Sequence, residues 1–359
     1  MAQPQPAAPA VKGRGARSNA SGRYESQSRE AFDDGWPADE APAPLRTTLT
    51  AETARVILTT NDSPDISFNQ SINPYRGCEH GCVYCYARPA HAYMGLSPGR
   101  DFESRLFFKP DAGALLAKEL SRTRYRVQNI QIGGNTDPYQ PAEQKLDVTR
   151  EVLETLERFR HPSSIITKSH GIVRDADILG PMGRANLARA AVSVTTLDRK
   201  LARSMEPRAA TPAKRLEAIR RLTEAGCPVT VMFAPVIPGL NDHELEALLE
   251  AAAEAGAVNA GYVVLRLPLE IKDLWREWLE DEQPDRARRV MSLTRQMRRG
   301  QDYDPEWGKR QRGEGPLAEL IARRFELACA RLGLNRRWAP LDLTQFRVPE
   351  KAGDQLSLL

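Results

Sequence analysis

Asn73-Pro-Tyr-Arg-Gly-Cys-Glu-His-Gly-Cys-Val-Tyr-Cys-Tyr86 holds three of the five cysteines of this 359-residue chain, Cys78, Cys82 and Cys85. Their spacing is C-x3-C-x2-C. Gly77 and Gly81 allow tight backbone turns, so the three sulfurs can converge on one side. Convergent thiolates without a disulfide framework are a soft-metal site. A cubane iron–sulfur cluster takes four ligands. Three from the protein leave one iron open to a substrate or cofactor, the arrangement of a site that performs chemistry.

Working outward, short apolar strands alternate with amphipathic helices. The strands are expected at 129–132, 164–167, 190–194, 229–233 and 262–265, with one more feeding the cysteine loop. Helical patterns lie near 111–122, 141–159, 173–187, 212–225 and 242–255. Thr211 followed by Pro212 reads as an N-cap with proline at the first helical position, and Gly226 with Pro228 ends that helix. Continuous apolar strands separated by helices predict a parallel sheet with helices outside. Six units are too few for a closed eight-fold barrel, so the fold class is α/β, a partial (β/α)6 TIM-like barrel. Its site is expected at the C-terminal ends of the strands. Those ends carry Gly133-Gly-Asn-Thr-Asp-Pro-Tyr-Gln140, Lys168-Ser-His170, Thr195-Thr-Leu-Asp198, Ala234-Pro-Val-Ile-Pro-Gly-Leu-Asn-Asp242 and Arg266-Leu-Pro268.

Four segments follow: an arm over 1–45, the barrel over 46–270, a helical extension over 271–349, and a tail over 350–359. The arm is rich in Ala, Pro, Gly and Ser and is expected to be mostly disordered. The extension should be helical near 271–281, 284–299 and 315–333. Between 285 and 337 it carries 14 Arg or Lys against 7 Asp or Glu. Interleaved with Tyr303 and Trp307, that excess suits a phosphate backbone, or else a solvated face with internal ion pairs. The net charge of +4 decides little alone. No run of 18 apolar residues suggests a membrane span, and the N-terminus lacks a secretory apolar core. A cytoplasmic, reducing location is expected, with Cys227 and Cys329 as small buried hydrophobes.

The cysteine loop at the mouth of an α/β barrel resembles the radical S-adenosylmethionine (SAM) superfamily, with Tyr84 in the usual aromatic place before the third cysteine. The resemblance implies a [4Fe-4S] cluster on Cys78, Cys82 and Cys85 and SAM on the open iron. It also implies reductive cleavage to methionine and a 5′-deoxyadenosyl radical, fed by an electron donor such as a flavodoxin or ferredoxin. Gly133-Gly134, with Asn135 and Thr136, resembles the segment that binds the SAM amine, with Asn135 where the family often has glutamate. Lys168 would take the carboxylate and Ser193 or Thr195 the ribose. Tyr84, Val236 and Ile237 would hold the adenine. A zinc site completed by His80 or His91 is the alternative for the cysteines.

Asn73-Pro-Tyr-Arg-Gly-Cys78, Asn135-Thr-Asp-Pro-Tyr139, Thr167-Lys-Ser169, Ser193-Val-Thr-Thr-Leu-Asp198 and Glu206-Pro-Arg208 look like the spore-photoproduct-lyase-like branch. More closely they resemble the bacterial PA0069 family of radical SAM proteins. That branch implies a nucleic-acid base or DNA lesion as substrate, with modification of a protein or small metabolite as the alternative. Spore photoproduct lyase returns hydrogen from a cysteine near the substrate. No cysteine stands at a strand end here outside the cluster loop, leaving Tyr86, Tyr139 or Tyr262 as candidate relays. The tail ends in Gln355-Leu-Ser-Leu-Leu359, which resembles the peptide that binds the bacterial sliding clamp. It could instead dock on its own domain. A reading of another class is a non-catalytic metal-binding module recruited to the clamp.

Overall fold

Apolar strands flanked by amphipathic helices can bury both sheet faces only in a parallel arrangement. The computed structural model, which describes residues 11–27, 45–336 and 340–350, has this architecture. Its strands are β1 (Thr48–Ala51), β2 (Leu58–Thr60), β3 (Gln70–Ile72), β4 (Tyr75–Arg76), β5 (Arg105–Phe108), β6 (Ile130–Ile132), β7 (Ser163–Thr167), β8 (Ala188–Ser193), β9 (Val229–Val236) and β10 (Asn259–Val264). The helices are α1 (Arg100–Ser104), α2 (Ala112–Leu120), α3 (Glu143–Leu146), α4 (Val148–Arg158), α5 (Ala176–Arg184), α6 (Arg199–Met205), α7 (Pro212–Glu224), α8 (Leu245–Glu254), α9 (Ile271–Glu282), α10 (Pro284–Gln296) and α11 (Pro316–Leu332).

The main sheet runs β10-β9-β8-β7-β6-β3-β2. Its six strands from β3 to β10 are parallel neighbours, and β2 closes one edge antiparallel to β3. This is the expected open, partial barrel. Ile132, Ile165, Val192, Val231 and Phe233 pack the sheet face turned toward the helices, at no more than 1% exposure. The expected caps are in place: the Thr211 hydroxyl accepts from the Lys214 N–H with Pro212 at the start of α7. Such a cap contributes about 1 kcal/mol. The single helix expected near 141–159 is instead split. Asp147 adopts φ 54° between α3 and α4, and its carboxylate accepts from Arg174.

A small second sheet, β1-β5-β4, lies beyond the expected strands. Its β4 enters the cysteine loop and its β5 leaves α1, so residues 77–104 form an excursion whose two ends are hydrogen-bonded together. The helical extension shares the barrel's core. Trp275 and Trp278 on α9, both with no exposure, stack behind Cys82, Val83 and Tyr84.

The reading of 1–45 as mostly disordered does not extend to 11–27. Arg14, Ala16 and Arg17 are buried. The N–H groups of Gly15 and Ala16 donate to the two carboxylate oxygens of Glu103 at 2.9 and 2.8 Å. Arg17 pairs with Asp281 and Glu282 at the end of α9. The segment straps the outside of the cysteine loop, where tertiary partners offset its ordering entropy.

Candidate active site

The loop from Gly77 to Arg88 can turn sharply because Gly77 and Gly81 adopt φ values of 77° and 69°. A Cβ on Gly77 would lie 2.6 Å from the Leu106 side chain and 2.8 Å from the Phe102 carbonyl. Gln140, fully buried, accepts from the Glu79 N–H and donates to the Gly77 carbonyl. Arg88, with no exposure, donates to the carbonyls of Gly81, Cys82, Pro98 and Gly99. These bonds consume the loop's polar backbone and leave the three sulfurs for another partner.

Cys78 and Cys82 are buried and Cys85 is half-buried, all as free thiols. Burial pushes the Cys78 thiol well up, and Asp137 with the neighbouring thiols pushes it further. Burial also raises Cys82 and Cys85. Such thiols resist ionisation unless a metal supplies positive charge. Among the described residues, no three His, Cys, Asp or Glu side chains are grouped to hold one metal ion. For the zinc alternative, neither histidine is grouped with the sulfurs among the described residues. His91 makes a 3.0 Å hydrogen bond between its Nε2 and the Arg105 carbonyl, and His80 faces Asp137 at 3.3 Å. A polynuclear cluster, whose thiolates sit at separate corners, fits the donor set better than a single zinc.

The thiols open into a cavity of about 470 Å³ at the C-terminal ends of the strands. Its wall includes Gly133, Gly134 and Asn135 after β6, Lys168 after β7 and Ser193 at the end of β8. Ala234 and Pro235 of β9 and Arg266 after β10 continue it. Tyr84 and Tyr86 line it from the cysteine loop. Gly133 has φ 79°, and a Cβ there would approach Pro138 Cδ to 2.5 Å. No side chain fits, so the backbone itself forms this part of the wall.

Nine expected site residues therefore meet in one cavity: Cys78, Cys82, Tyr84, Cys85, Gly133, Gly134, Asn135, Lys168 and Ser193. Four others do not line it. The Thr136 hydroxyl donates to the Tyr75 carbonyl at 2.8 Å, holding two loops together. Thr195, without exposure, donates to Glu206 at 2.6 Å behind the wall. Val236, also without exposure, belongs to the barrel core, and its neighbours Ala234 and Pro235 take the place at the surface. Ile237 is likewise in the core behind the cysteine loop. Of the three tyrosines, Tyr86 alone lines this cavity. Tyr139 is buried with its hydroxyl on Asp175, and Tyr262 lies under Arg312.

Sequence reasoning missed two buried carboxylates. Burial acts to raise the Asp137 carboxyl, but His80, the Thr167 hydroxyl and the Lys168 N–H together hold it at about 2. Glu206 is held at about 2 against the same effect of burial, by Arg215, Lys168 and Thr195. It also accepts from the Tyr84 hydroxyl, which fixes the aromatic ring beneath Lys168 Nζ, 5.8 Å from the ring centroid. Both positions sit within quoted motifs, Asn135–Tyr139 and Glu206–Arg208. Only their placement beside Lys168 gives them a task.

The basic extension is largely neutralised. Arg295 pairs with Asp302, Arg299 and Lys309 with Glu306 and Glu314, and Arg310 with Asp65. Arg298 is buried on the carbonyls of Lys309 and Leu265. Arg286, Arg288 and Arg289 on α10 remain exposed.

The family model for the Radical SAM superfamily matches residues 72–252, half of the chain, from the strand before the cysteine loop to α8. The chain belongs to the radical SAM superfamily. It is 33% identical over 289 residues to the protein Rv2578c of Mycobacterium tuberculosis strain H37Rv, covering 80% of this chain and 82% of that one. The protein MJ0683 of Methanocaldococcus jannaschii is 27% identical over 48% of this chain and 62% of its own length. Spore photoproduct lyase complexed with dinucleoside spore photoproduct superposes with a TM-score of 0.58 at 15% identity, covering 84% of this chain and 86% of that one. A variant of that lyase with bound AdoMet and the same dinucleoside gives 0.52 at 16% identity, with 80% of each chain covered. At this identity the likeness establishes a common fold. The protein is thus a radical SAM enzyme with the spore photoproduct lyase architecture. Among the described residues, no helix is long and apolar enough to cross a membrane.

Proposed function

We propose that this radical SAM enzyme carries a [4Fe-4S] cluster on Cys78, Cys82 and Cys85, binds SAM in the adjoining cavity, and acts on a nucleic-acid base or DNA lesion. The observation that carries the reading is the meeting of three thiols, a glycine backbone wall and the Lys168 ammonium in one cavity. A reduced cluster held by Cys78, Cys82 and Cys85 would supply the electron for SAM cleavage, the radical chemistry that belongs to the cofactor. The residues of this chain bind and orient. Lys168 offers a cation for the SAM carboxylate. The wall at Gly133 and Gly134 admits the amine at backbone distance, and Ser193 faces the ribose. Ala234 and Pro235, with Tyr84, give the adenine an apolar slot.

The substrate side is aromatic and basic. Phe68 and Tyr86 line the cavity beside Arg266, and rings with an arginine form a stacking platform for bases. The architecture shared with a lyase whose structure holds a dinucleoside photoproduct supports the same class of substrate. The hydrogen-return step would differ from a cysteine-based route. Cys227 lies buried just before β9 and Cys329 on α11, neither in the cavity wall. Tyr86 is the candidate relay.

Anaerobic reconstitution tests the cofactor assignment. About four irons per chain are expected, lost in Cys78→Ala together with 5′-deoxyadenosine formation on reduction with SAM. One zinc and no SAM cleavage would refute it. For the substrate, deuterated thymidine in an oligonucleotide should pass label into 5′-deoxyadenosine. Label passing only from a peptide or metabolite would replace the nucleic-acid assignment. We propose further that a flavodoxin or ferredoxin donates the electron and that Gln355–Leu359, which lies outside the described residues, binds the sliding clamp. Loss of clamp pull-down on deleting that peptide, with SAM cleavage retained, is the expected result.

A further inference from the structure

We propose that Arg266, backed by the ring of Tyr86, forms a subsite for a phosphodiester of the substrate; this rests on the nucleic-acid reading above. Arg266 lines the cavity after β10. Its guanidinium lies 5.4 Å from the centroid of the Tyr86 ring. It makes no direct ion pair among the described residues, the Asp65 carboxylate acting on it only at longer range, and its buried Nε has no hydrogen-bond partner. A buried donor left without an acceptor is costly, and native proteins leave few of them. Tyr86 is pinned by its hydroxyl, which donates to the Gly134 carbonyl, so the surface under the guanidinium is fixed in advance of binding. The neighbouring cation of the wall, Arg310, is already committed to Asp65.

SAM brings one carboxylate, and Lys168, which has no ion-pair partner of its own among the described residues, is the cation assigned to it. Its ammonium sits over a different ring, 5.8 Å from the centroid of Tyr84. Lys168 follows β7 and Arg266 follows β10, with β8 and β9 between them in the sheet, so their backbones are about 14 Å apart. Arg266 is therefore the cation of the wall left for a second anion. A planar guanidinium stacked on an aromatic face matches a phosphate in fork geometry. The rings of Phe68 and Tyr86 beside it suit the adjoining bases.

The test is fluorescence anisotropy of a labelled oligothymidylate on the anaerobically reconstituted protein, against the same oligonucleotide with uncharged methylphosphonate linkages. The wild type should prefer the charged backbone, and Arg266→Gln should lose roughly ten- to a hundredfold in affinity for it. The salt dependence of binding should become shallower by about 0.7 in log–log slope, one single-strand phosphate contact. The preference of Arg266→Gln for the charged backbone should shrink by the same factor. If the wild type binds the oligonucleotide and Arg266→Gln keeps its full preference and slope, the subsite is refuted while the nucleic-acid reading stands. If the wild type binds neither oligonucleotide, both fall. A loss of SAM affinity in Arg266→Gln as large as in Lys168→Gln would refute the subsite by assigning Arg266 to SAM.

Discussion

Arg88 and Glu103 form an ion pair whose side chains have no solvent exposure, and both ends of it hold the cysteine loop. The guanidinium gathers four loop carbonyls, two of them from Gly81 and Cys82. The carboxylate takes the N–H groups of the strap at Gly15 and Ala16. The pair is thus a junction among the cysteine loop, α1 and a segment almost ninety residues earlier.

Glu103→Gln preserves shape but leaves the Arg88 charge buried without compensation. Breaking such a pair costs about 3–5 kcal/mol. Chemical denaturation should show that loss. The reconstituted variant should also hold less iron than wild type under identical conditions. Unchanged stability and iron content would mean that water or a neighbour supplies the missing charge.

The strap has a sharper test at Gly15. A Cβ added there would stand 1.8 Å from the Gly81 carbonyl oxygen, a distance that backbone atoms cannot accept. Gly15→Ala should release the strap while the barrel stays folded. Trypsin would then cut rapidly at Arg14 and Arg17, which are buried in the wild type. Digestion at the wild-type rate would show that the strap can shift to accommodate a methyl group.

Much of this architecture is legible in the sequence because it follows from patterns of one element at a time. The apolar runs ending at Thr167, Val194 and Leu265 and the Thr211–Pro212 cap need no distant partner to be read. The strap does, since Arg14 and Arg17 look like solvated charge until Glu103, Asp281 and Glu282 are placed beside them. The sheet β1-β5-β4 escaped notice because its strands have four, four and two residues and β1 is exposed throughout. In the site, motif residues were found, but their facing was not. Thr195 and Val236 turn away from the cavity because Glu206 captures one and the barrel core the other.

Glu206 makes stability depend on acid. Its folded pKa of about 2 lies below the ordinary 4.5. A depressed carboxylate contributes stability that is fully present above about pH 4.5 and is lost as the pH falls toward about 2, because the unfolded chain binds the proton first. The window corresponds to a few kcal/mol. Denaturation of Glu206→Gln across that range should give a flatter pH profile, offset downward at neutral pH by the uncompensated, buried Arg215. A profile parallel to that of the wild type would place the acid sensitivity elsewhere, with Asp137 the next candidate.

Gly133 separates the shape of the cavity from its charge. Its φ of 79° disfavours any side chain, and a methyl group would also meet the Ile166 carbonyl at 2.8 Å. Left-handed backbone costs a non-glycine residue about 1–2 kcal/mol. The contact with Pro138 adds to this and pushes the wall inward. Gly133→Ala should therefore weaken SAM binding by more than the loss of stability explains, since the bound amine requires the backbone to come close. Lys168→Gln should reduce SAM affinity with only a small fall in melting temperature, because the ammonium makes no direct ion pair among the described residues and only assists Arg215 in keeping Glu206 ionised. Calorimetric titration of SAM with thermal melts of both variants distinguishes the two effects. Equal SAM affinity in Gly133→Ala and wild type would remove the glycine wall from the proposed site and leave Lys168 as its anchor.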